Sequence, residues 1–272
     1  MRRGRHHSPG ELTMQPLLFG NPKAPLYGAY HPALAKHAAP IGVVLCAPLG
    51  HEYMRTHRAL RQLAAMLAKA GHHVLRFDYR GTGDSAGEAA VLRLADWITD
   101  TADAIEELQD MAGLRTTALV GLRAGALIAA AAAAGPARSV AQLVCWDPVT
   151  RGATYLDELR AVADGPWDGG DIIGAGGLAL SAAMRSDLVA LDAAACVPAA
   201  TTRTLVIGSE SKAEYAELAQ AWSAAGTTTD AVIVPCAGNW DDMDRIGAQL
   251  LPQAILRAIT DHLSDAGVTA NA

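Results

Sequence analysis

The chain contains 272 residues and carries a net charge of −6, with 51% hydrophobic and 18% charged residues. So high an apolar fraction excludes an intrinsically disordered protein, and an acidic balance without a basic stripe argues against nucleic-acid binding. The strongest apolar run, Ala124 to Ala134, has eleven residues, whereas a membrane helix needs about 20, so we expect no membrane insertion.

Apolar runs typical of strands alternate with segments of helical periodicity from about residue 15 onward. In chain order the sequence predicts strands at 16–19, 26–30 and 41–46, a helix at 56–70, a strand at 74–79, a helix at 92–111, a strand at 117–120, a helix at 124–134 and a strand at 142–146. After an interruption, the order continues with a strand at 204–207, a helix at 213–225, a strand at 231–234 and a helix at 246–262. Since strands separated by helices form parallel sheets, we expect an α/β fold with a mostly parallel central sheet and helices on both faces.

The alternation lapses between residues 151 and 198. Helices at 154–163 and 178–191 flank a glycine-rich loop at 165–177. We expect this segment to form a small helical lid over the carboxyl edge of the sheet, inserted between core segments 13–150 and 199–265. Residues 1–12 and 266–272 are expected to be terminal tails, because no apolar periodicity ties the first dozen residues to the core.

The cysteine pattern predicts neither a disulfide framework nor a zinc site. The four cysteines are widely spaced and include no CxxC pair: Cys46, Cys145, Cys196 and Cys236. A reducing cytoplasm is therefore the expected location.

No cofactor or metal is predicted. The run Gly81-x-Gly83-x-x-Ala86 follows a strand and formally fits a dinucleotide fingerprint. A true fingerprint opens its helix at the glycines, whereas the helical periodicity here begins only near Leu92.

Segments that directly follow the strands are the most informative, because parallel α/β sheets bind ligands outside the carboxyl ends of their strands. Three such segments read Ala-Pro-Leu-Gly-His-Glu (47–52), Asp-Tyr-Arg-Gly-Thr-Gly-Asp-Ser (78–85) and Gly-Leu-Arg-Ala-Gly (121–125). The last runs directly into a helix of small residues.

These segments together resemble the α/β-hydrolase superfamily, over roughly residues 15–265. The Gly-x-x-x-Gly at 121–125 matches the nucleophile elbow in position and in its two glycines, which the strained turn and close helix packing require. Segments 51–85, 121–125 and 146–156 are similar to a bacterial branch of exosortase-system-associated or serine-aminopeptidase-like hydrolases. The resemblance implies an α/β-hydrolase fold and activity on a small acyl compound.

The sequence departs from this resemblance at the catalytic positions. The elbow nucleophile should be Ser, Cys or Asp at 123, but the residue is Arg123, whose guanidinium stays protonated. The base should be a histidine in the loop after the last strand, which reads Cys-Ala-Gly-Asn-Trp-Asp (236–241). No histidine lies between 74 and 261. Glu210 could fill the acid position, yet the Ser–acid–His order of a triad is missing.

Arg123 allows two interpretations. A cation at a helix N-terminus is disfavoured by about 0.3–1 kcal/mol, so an anionic group should lie nearby. In the first interpretation that group is an internal partner, Asp147 or Glu210, which locks the strand ends together. In the second, Arg123 and the helix amides anchor the carboxylate or phosphate of a ligand.

His51 and Cys145 are the remaining candidates for chemistry. His51 follows a strand in the loop that contributes an oxyanion-hole amide in the family. It is either a helix-capping histidine or a general acid or base whose basicity Glu52 raises. Cys46, Cys145 and Cys236 fall at strand ends on the same side, so Cys145 could pair with His51 as a nucleophile. Alternatively, these cysteines are small buried apolar residues.

Two functions are therefore weighed. The first is an enzyme that acts on a small acyl, ester or thioester compound through the non-standard residues His51, Arg123, Cys145 and Asp147. The second is a catalytically inactive pseudo-hydrolase that binds an anionic ligand, or a partner such as an acyl carrier protein. Candidate ligand contacts come from the loops around the elbow: Leu49, Gly50, Arg123, Ala124, Glu210, Asn239 and Trp240.

Overall fold

The computed structural model describes residues 14–37, 40–88, 91–135, 140–163, 172–175, 177–236 and 252–269. The strands are β1 (Gln15–Phe19), β2 (Leu26–His31), β3 (Gly42–Cys46), β4 (His73–Phe77), β5 (Thr117–Leu122), β6 (Val140–Trp146), β7 (Ile172–Ala175), β8 (Leu178–Ser181), β9 (Arg203–Gly208) and β10 (Thr228–Ile233). The helices are α1 (Gly50–Ala70), α2 (Leu94–Ala112), α3 (Ala124–Ala133), α4 (Gly152–Ala161), α5 (Ala182–Ala190), α6 (Ala213–Ala224) and α7 (Gln253–Thr269).

Eight of these strands form one sheet in the order β1-β2-β4-β3-β5-β6-β9-β10. The pairings of β1 with β2 and of β2 with β4 are antiparallel. All pairings from β4 to β10 are parallel. The predicted α/β architecture with a mostly parallel sheet is confirmed, and the carboxyl ends of β3, β4, β5, β6 and β9 share one edge.

Helices cover both faces of the sheet, which explains why β3 is buried along its whole length. On one face, Val44 and Cys46 of β3 join an apolar cluster built from α2 to α6. On the other face, Val43 and Leu45 pack into a cluster with α1 and α7. Alternate residues of one strand therefore serve two cores, as the period of two in an extended chain requires.

Helix α1 begins at Gly50, six residues before the predicted start at residue 56. The sequence pattern failed here because the first turn carries buried polar residues, His51 and Glu52, rather than an apolar stripe. Glu52 suits this place electrostatically, since a carboxylate in the first turn is stabilised by the helix dipole. His51 consequently lies in a helix and not in the predicted loop.

The segment between β6 and β9 differs from its prediction. Part of the predicted glycine-rich loop at 165–177 forms β7, which pairs antiparallel with β8. The helix predicted at 178–191 begins only at residue 182, where the Ser181 hydroxyl accepts a hydrogen bond from Met184 N at 3.0 Å. At the other end of the chain, α7 continues to Thr269, past the point where a tail was expected.

Two glycines allow α3 to approach the sheet. A Cβ added to Gly125 would overlap the backbone oxygens of Cys46 and Ala47, and one added to Gly121 would overlap the backbone of Ala126. These are backbone contacts, so no side-chain rotation can relieve them. The turn between β5 and α3 therefore depends on both glycines.

We expect Gly125→Ala to lower the free energy of unfolding by about 3 kcal/mol or more, because the added methyl group overpacks rigid backbone. Gly135→Ala is the matched control near the other end of α3, since a Cβ there meets only Ala132 O at 3.3 Å. Urea denaturation of both variants measures the difference. Near-native stability of Gly125→Ala would contradict the close approach of α3 to β3.

Candidate functional site

The turn between β5 and α3 holds Arg123 in a strained conformation. Its φ is 54° and its ψ is −123°, a region that bulky residues rarely adopt. The backbone N–H of Arg123 donates to Trp146 O at 3.0 Å, and its carbonyl accepts from Ala126 N at 3.0 Å. Neighbouring backbone thus over-determines the turn, which is what keeps strain of this kind in place.

The Arg123 guanidinium joins two acidic side chains from different elements. Its Nε donates to Glu52 Oε1 of α1 at 2.8 Å, and its Nη2 donates to Glu158 Oε2 of α4 at 2.5 Å. The side chains of Arg123 and Glu52 are 9% and 2% exposed, whereas that of Glu158 is 48% exposed. We call Glu52, Arg123 and Glu158 the arginine cluster.

The predicted partners of Arg123 were wrong. Asp147, with a φ of 40°, accepts hydrogen bonds at Oδ1 from Ser209 N at 2.6 Å and Ser209 Oγ at 3.0 Å. Glu210 is exposed and pairs with Lys212 at 3.1 Å. Both acids follow neighbouring strands as expected, but β6 and β9 direct them to the backbone and to the surface, while α1 and α4 supply the acids that reach Arg123.

Both acids of the arginine cluster stabilise the charged form of Arg123. Burial lowers the pKa of Arg123, but the charges of Glu52 and then Glu158 outweigh this, so the pKa is raised above its ordinary value. Burial, followed by the charge of Glu52, also raises the pKa of Tyr155 well above its usual range. The Tyr155 hydroxyl is buried with no hydrogen-bond partner among the described residues. Ion pairs in such dry surroundings attract more strongly than in water.

Cys145 does not lie in the surroundings of a nucleophile. It is buried in the apolar cluster on the α2–α3 face of the sheet. Burial and then the neighbouring Cys46 thiol raise its pKa, with no cation or base opposing them. Burial raises the pKa of Cys46 to about 12. Reactive cysteines need a base or a cation, so both thiols fit the apolar interpretation better.

A cavity of about 450 Å³ opens at the carboxyl edge of the sheet. We call it the edge cavity. It is lined by residues 47–50, Tyr53 and Met54, residues 77–79, residues 81–83 and residues 177–179. Predicted ligand contacts Leu49 and Gly50 line it, whereas Arg123, Ala124 and Glu210 do not; Asn239 and Trp240 lie outside the described residues. Its volume falls in the range typical of small-molecule sites.

Within the ranges that the structure describes, no group of His, Cys, Asp and Glu side chains could hold a metal ion. None of the described helices is long and apolar enough to cross a membrane.

Comparison with known proteins bears on the fold. A family described as "Hydrolase_4: Serine aminopeptidase, S33" matches residues 36–165, just under half of the chain. The solved structure of Est1E from Butyrivibrio proteoclasticus is similar with a TM-score of 0.70 and 14% identity, covering 93% of this chain and 99% of that one. The chain has the α/β-hydrolase fold.

Two further structures of this fold are similar over almost their whole length. A highly thermostable carboxyl esterase from Bacillus coagulans, in complex with glycerol, gives a TM-score of 0.68 at 12% identity, covering 94% of this chain and 99% of that one. A proline iminopeptidase from Mycobacterium smegmatis gives 0.65 at 11% identity, covering 94% and 100%. No curated protein matches the sequence significantly. At these identities the solved structures show a shared fold.

Sequence reasoning missed the role of two acids in this α/β-hydrolase fold. Glu52 was read only as a neighbour of His51, although an acid just after a buried strand could have been considered for Arg123. Glu158 gave no local signal, because its contact with Arg123 depends on how α4 folds back onto the sheet. Of the other candidate residues, His51 is buried in α1, while Cys145 in β6 and Asp147 directly after β6 are buried two positions apart on one strand end.

We expect Arg123→Met to lower the free energy of unfolding by about 3–5 kcal/mol, because it leaves Glu52 buried without its cation. Glu158→Gln is the comparison within the same cluster, and should cost about 1 kcal/mol or less, since its side chain is half-exposed. Guanidinium denaturation measures both. Equal costs for the two variants, or a near-native Arg123→Met protein, would show that the pair with Glu52 does not stabilise the fold.

Proposed function

We propose that the chain is an α/β-hydrolase-fold protein that binds a small acyl compound and does not hydrolyse it by a serine-type mechanism. The observation that carries this proposal is the arginine cluster. A neutralised guanidinium lies at position 123, where the resemblance to the hydrolases places the nucleophile. We assign the turn at 121–125 to the nucleophile elbow on the basis of its two glycines and the positive φ of Arg123.

Position 123 supplies neither a nucleophile nor a general base. A raised pKa keeps Arg123 protonated, and a protonated guanidinium has no lone pair to attack a carbonyl. Serine-type and water-mediated hydrolysis both need a base, and the sequence holds no histidine between 74 and 261. Arg123 is also unsuited to anchor an anionic ligand, because two carboxylates already occupy it.

The edge cavity remains as the binding site. Apolar and backbone groups of residues 47–50 and 177–179 form much of its wall, so a short acyl chain would fit its chemistry. Residues 177–179 belong to the segment that we propose as a lid. Either a free small molecule or a carrier protein would present the acyl group. The motifs at 51–85, 121–125 and 146–156 are the basis on which we propose that the chain belongs to the exosortase-associated branch.

Hydrolysis of a small ester or thioester by other residues is the second candidate. The serine-aminopeptidase match over residues 36–165 favours it, as does the similarity to a carboxyl esterase. It requires a nucleophile and a base that the arginine cluster does not provide. Activity measurements separate the two candidates directly.

We expect no labelling of the protein by a serine-directed fluorophosphonate and no turnover of p-nitrophenyl acyl esters above the buffer rate. An ordinary serine esterase serves as the positive control. Arg123→Ser should stay inactive as well, because it supplies a hydroxyl but no histidine base. Stoichiometric labelling or turnover by the natural chain would favour the second candidate, and activity of Arg123→Ser alone would reveal an unrecognised base near residue 123.

We expect an uncharged acyl amide such as hexanamide to bind in the edge cavity, measured by calorimetry. Ala179→Trp should weaken this binding by about tenfold or more, because the indole fills the cavity. Ala190→Trp is the matched control, since Ala190 is also exposed and lies outside the cavity lining. Equal binding by the Ala179→Trp variant and the natural chain would exclude the edge cavity as the acyl site.

A further inference from the structure

A second cavity, of about 220 Å³, lies between α1 and the face of the sheet formed by β2, β4 and β3. We call it the basic cavity. Its floor is Arg76, at an inward position of β4 that pairs with Ala29 on β2 and Leu45 on β3. Both neighbours line the cavity. The small side chain of Ala29 leaves the space beside the guanidinium open.

Two arginines face this cavity without a carboxylate partner. Arg76 lies on the floor and Arg61 comes from α1. Arg76 donates through Nε to His31 Nε2 at 3.3 Å. Neither arginine forms an ion pair with any acid in the part of the chain that the structure describes. A partly buried cation such as Arg76 is normally paired, but here Asp78 acts on it only from a distance, and Arg61 lies exposed on α1.

The acid on the cavity wall is engaged elsewhere. Asp78 Oδ1 accepts from the Tyr53 hydroxyl at 2.7 Å, and its Oδ2 accepts from Asp84 N at 3.1 Å. Burial and the like charge of Arg61 lower the pKa of Arg76, and Asp78 opposes them only from a distance.

The two arginines also lower the pKa values of two nearby histidines. Burial, then Arg76 and Arg61, lower the pKa of His31 to about 4. Burial, then Arg76, lowers the pKa of His57, with Asp78 opposing. Both imidazoles are therefore neutral near pH 7. They add no charge to the cavity, and His57, which lines it, can donate one hydrogen bond to an occupant.

We infer that the basic cavity binds a small oxyanion, the phosphate or carboxylate group of a metabolite, between Arg61 and Arg76. Guanidinium groups present paired N–H donors that match the oxygens of either anion. A cavity of about 220 Å³ holds such a group with little else. This site is separate from the arginine cluster, where the guanidinium is already paired with two carboxylates. The proposal stands whether or not the edge cavity binds an acyl group.

Calorimetry on the full chain with inorganic phosphate and with acetate, at constant ionic strength, tests the site. Arg76→Met should weaken binding of the preferred anion by about tenfold or more, and Arg61→Gln by a smaller factor. Arg58→Gln is the matched control, because it removes the same charge from the exposed surface of α1 outside the cavity. Tighter binding of phosphate than of acetate assigns the site to phosphate groups, and the reverse order assigns it to carboxylates.

A stability measurement separates binding from a structural role. A buried cation without an ion-pair partner should not stabilise the fold, so Arg76→Met is expected to melt at or above the temperature of the natural chain in phosphate-free buffer. The preferred anion should raise the melting temperature of the natural chain and of Arg58→Gln, but not that of Arg76→Met. Absence of binding at about 10 mM of either anion, or equal weakening by Arg58→Gln, would overturn the proposal. If Arg76→Met fails to fold, unchanged affinity in Arg61→Gln would overturn it.

Discussion

The buried ion pair between Arg123 and Glu52 holds the turn between β5 and α3 against the start of α1. Arg123 lies at the strained turn between β5 and α3, Glu52 in the first turn of α1, and Glu158 extends the contact to α4. Three elements far apart in sequence are thereby held at the carboxyl edge where α/β sheets bind ligands. Removing one member of such a pair leaves the other charge buried without compensation, which destabilises the fold. Neither residue can therefore be replaced without regard to the other.

That constraint bears on chemistry as well as stability. Hydrolases of this fold use the strained turn to present a reactive side chain with a base beside it. Here the strained turn presents a guanidinium, and acids surround it. The charge is stabilised where it is, which is the opposite of what a nucleophile or a transition-state anchor requires. Under the function proposed above, the fold is retained while the site binds a ligand instead of reacting with it.

The sequence was sufficient for the sheet but not for the site. Strands such as 41–46 and 142–146 were predictable because residues buried on both faces form continuous apolar runs. The turn at 121–125 was predictable because only glycine permits its backbone contacts. The first turn of α1 was missed, since buried His51 and Glu52 break the apolar pattern, and β7 and β8 lie in a segment with weak periodicity. The partners of Arg123 could not be chosen from sequence, because Asp147, Glu210, Glu52 and Glu158 all carry the same charge and only tertiary packing selects among them.

The hydrogen bond from Tyr53 to Asp78 has a wider consequence, because both residues line the edge cavity and the basic cavity. The Tyr53 phenol and the Asp78 carboxylate therefore belong to the wall of both cavities. An occupant that turns Tyr53 on one side also changes the shape and the charge offered on the other. Thermodynamic linkage makes any such effect reciprocal, so that each occupant alters the affinity of the other by the same factor. If both cavities are occupied as proposed, this hydrogen bond is the contact through which the two occupants would influence each other.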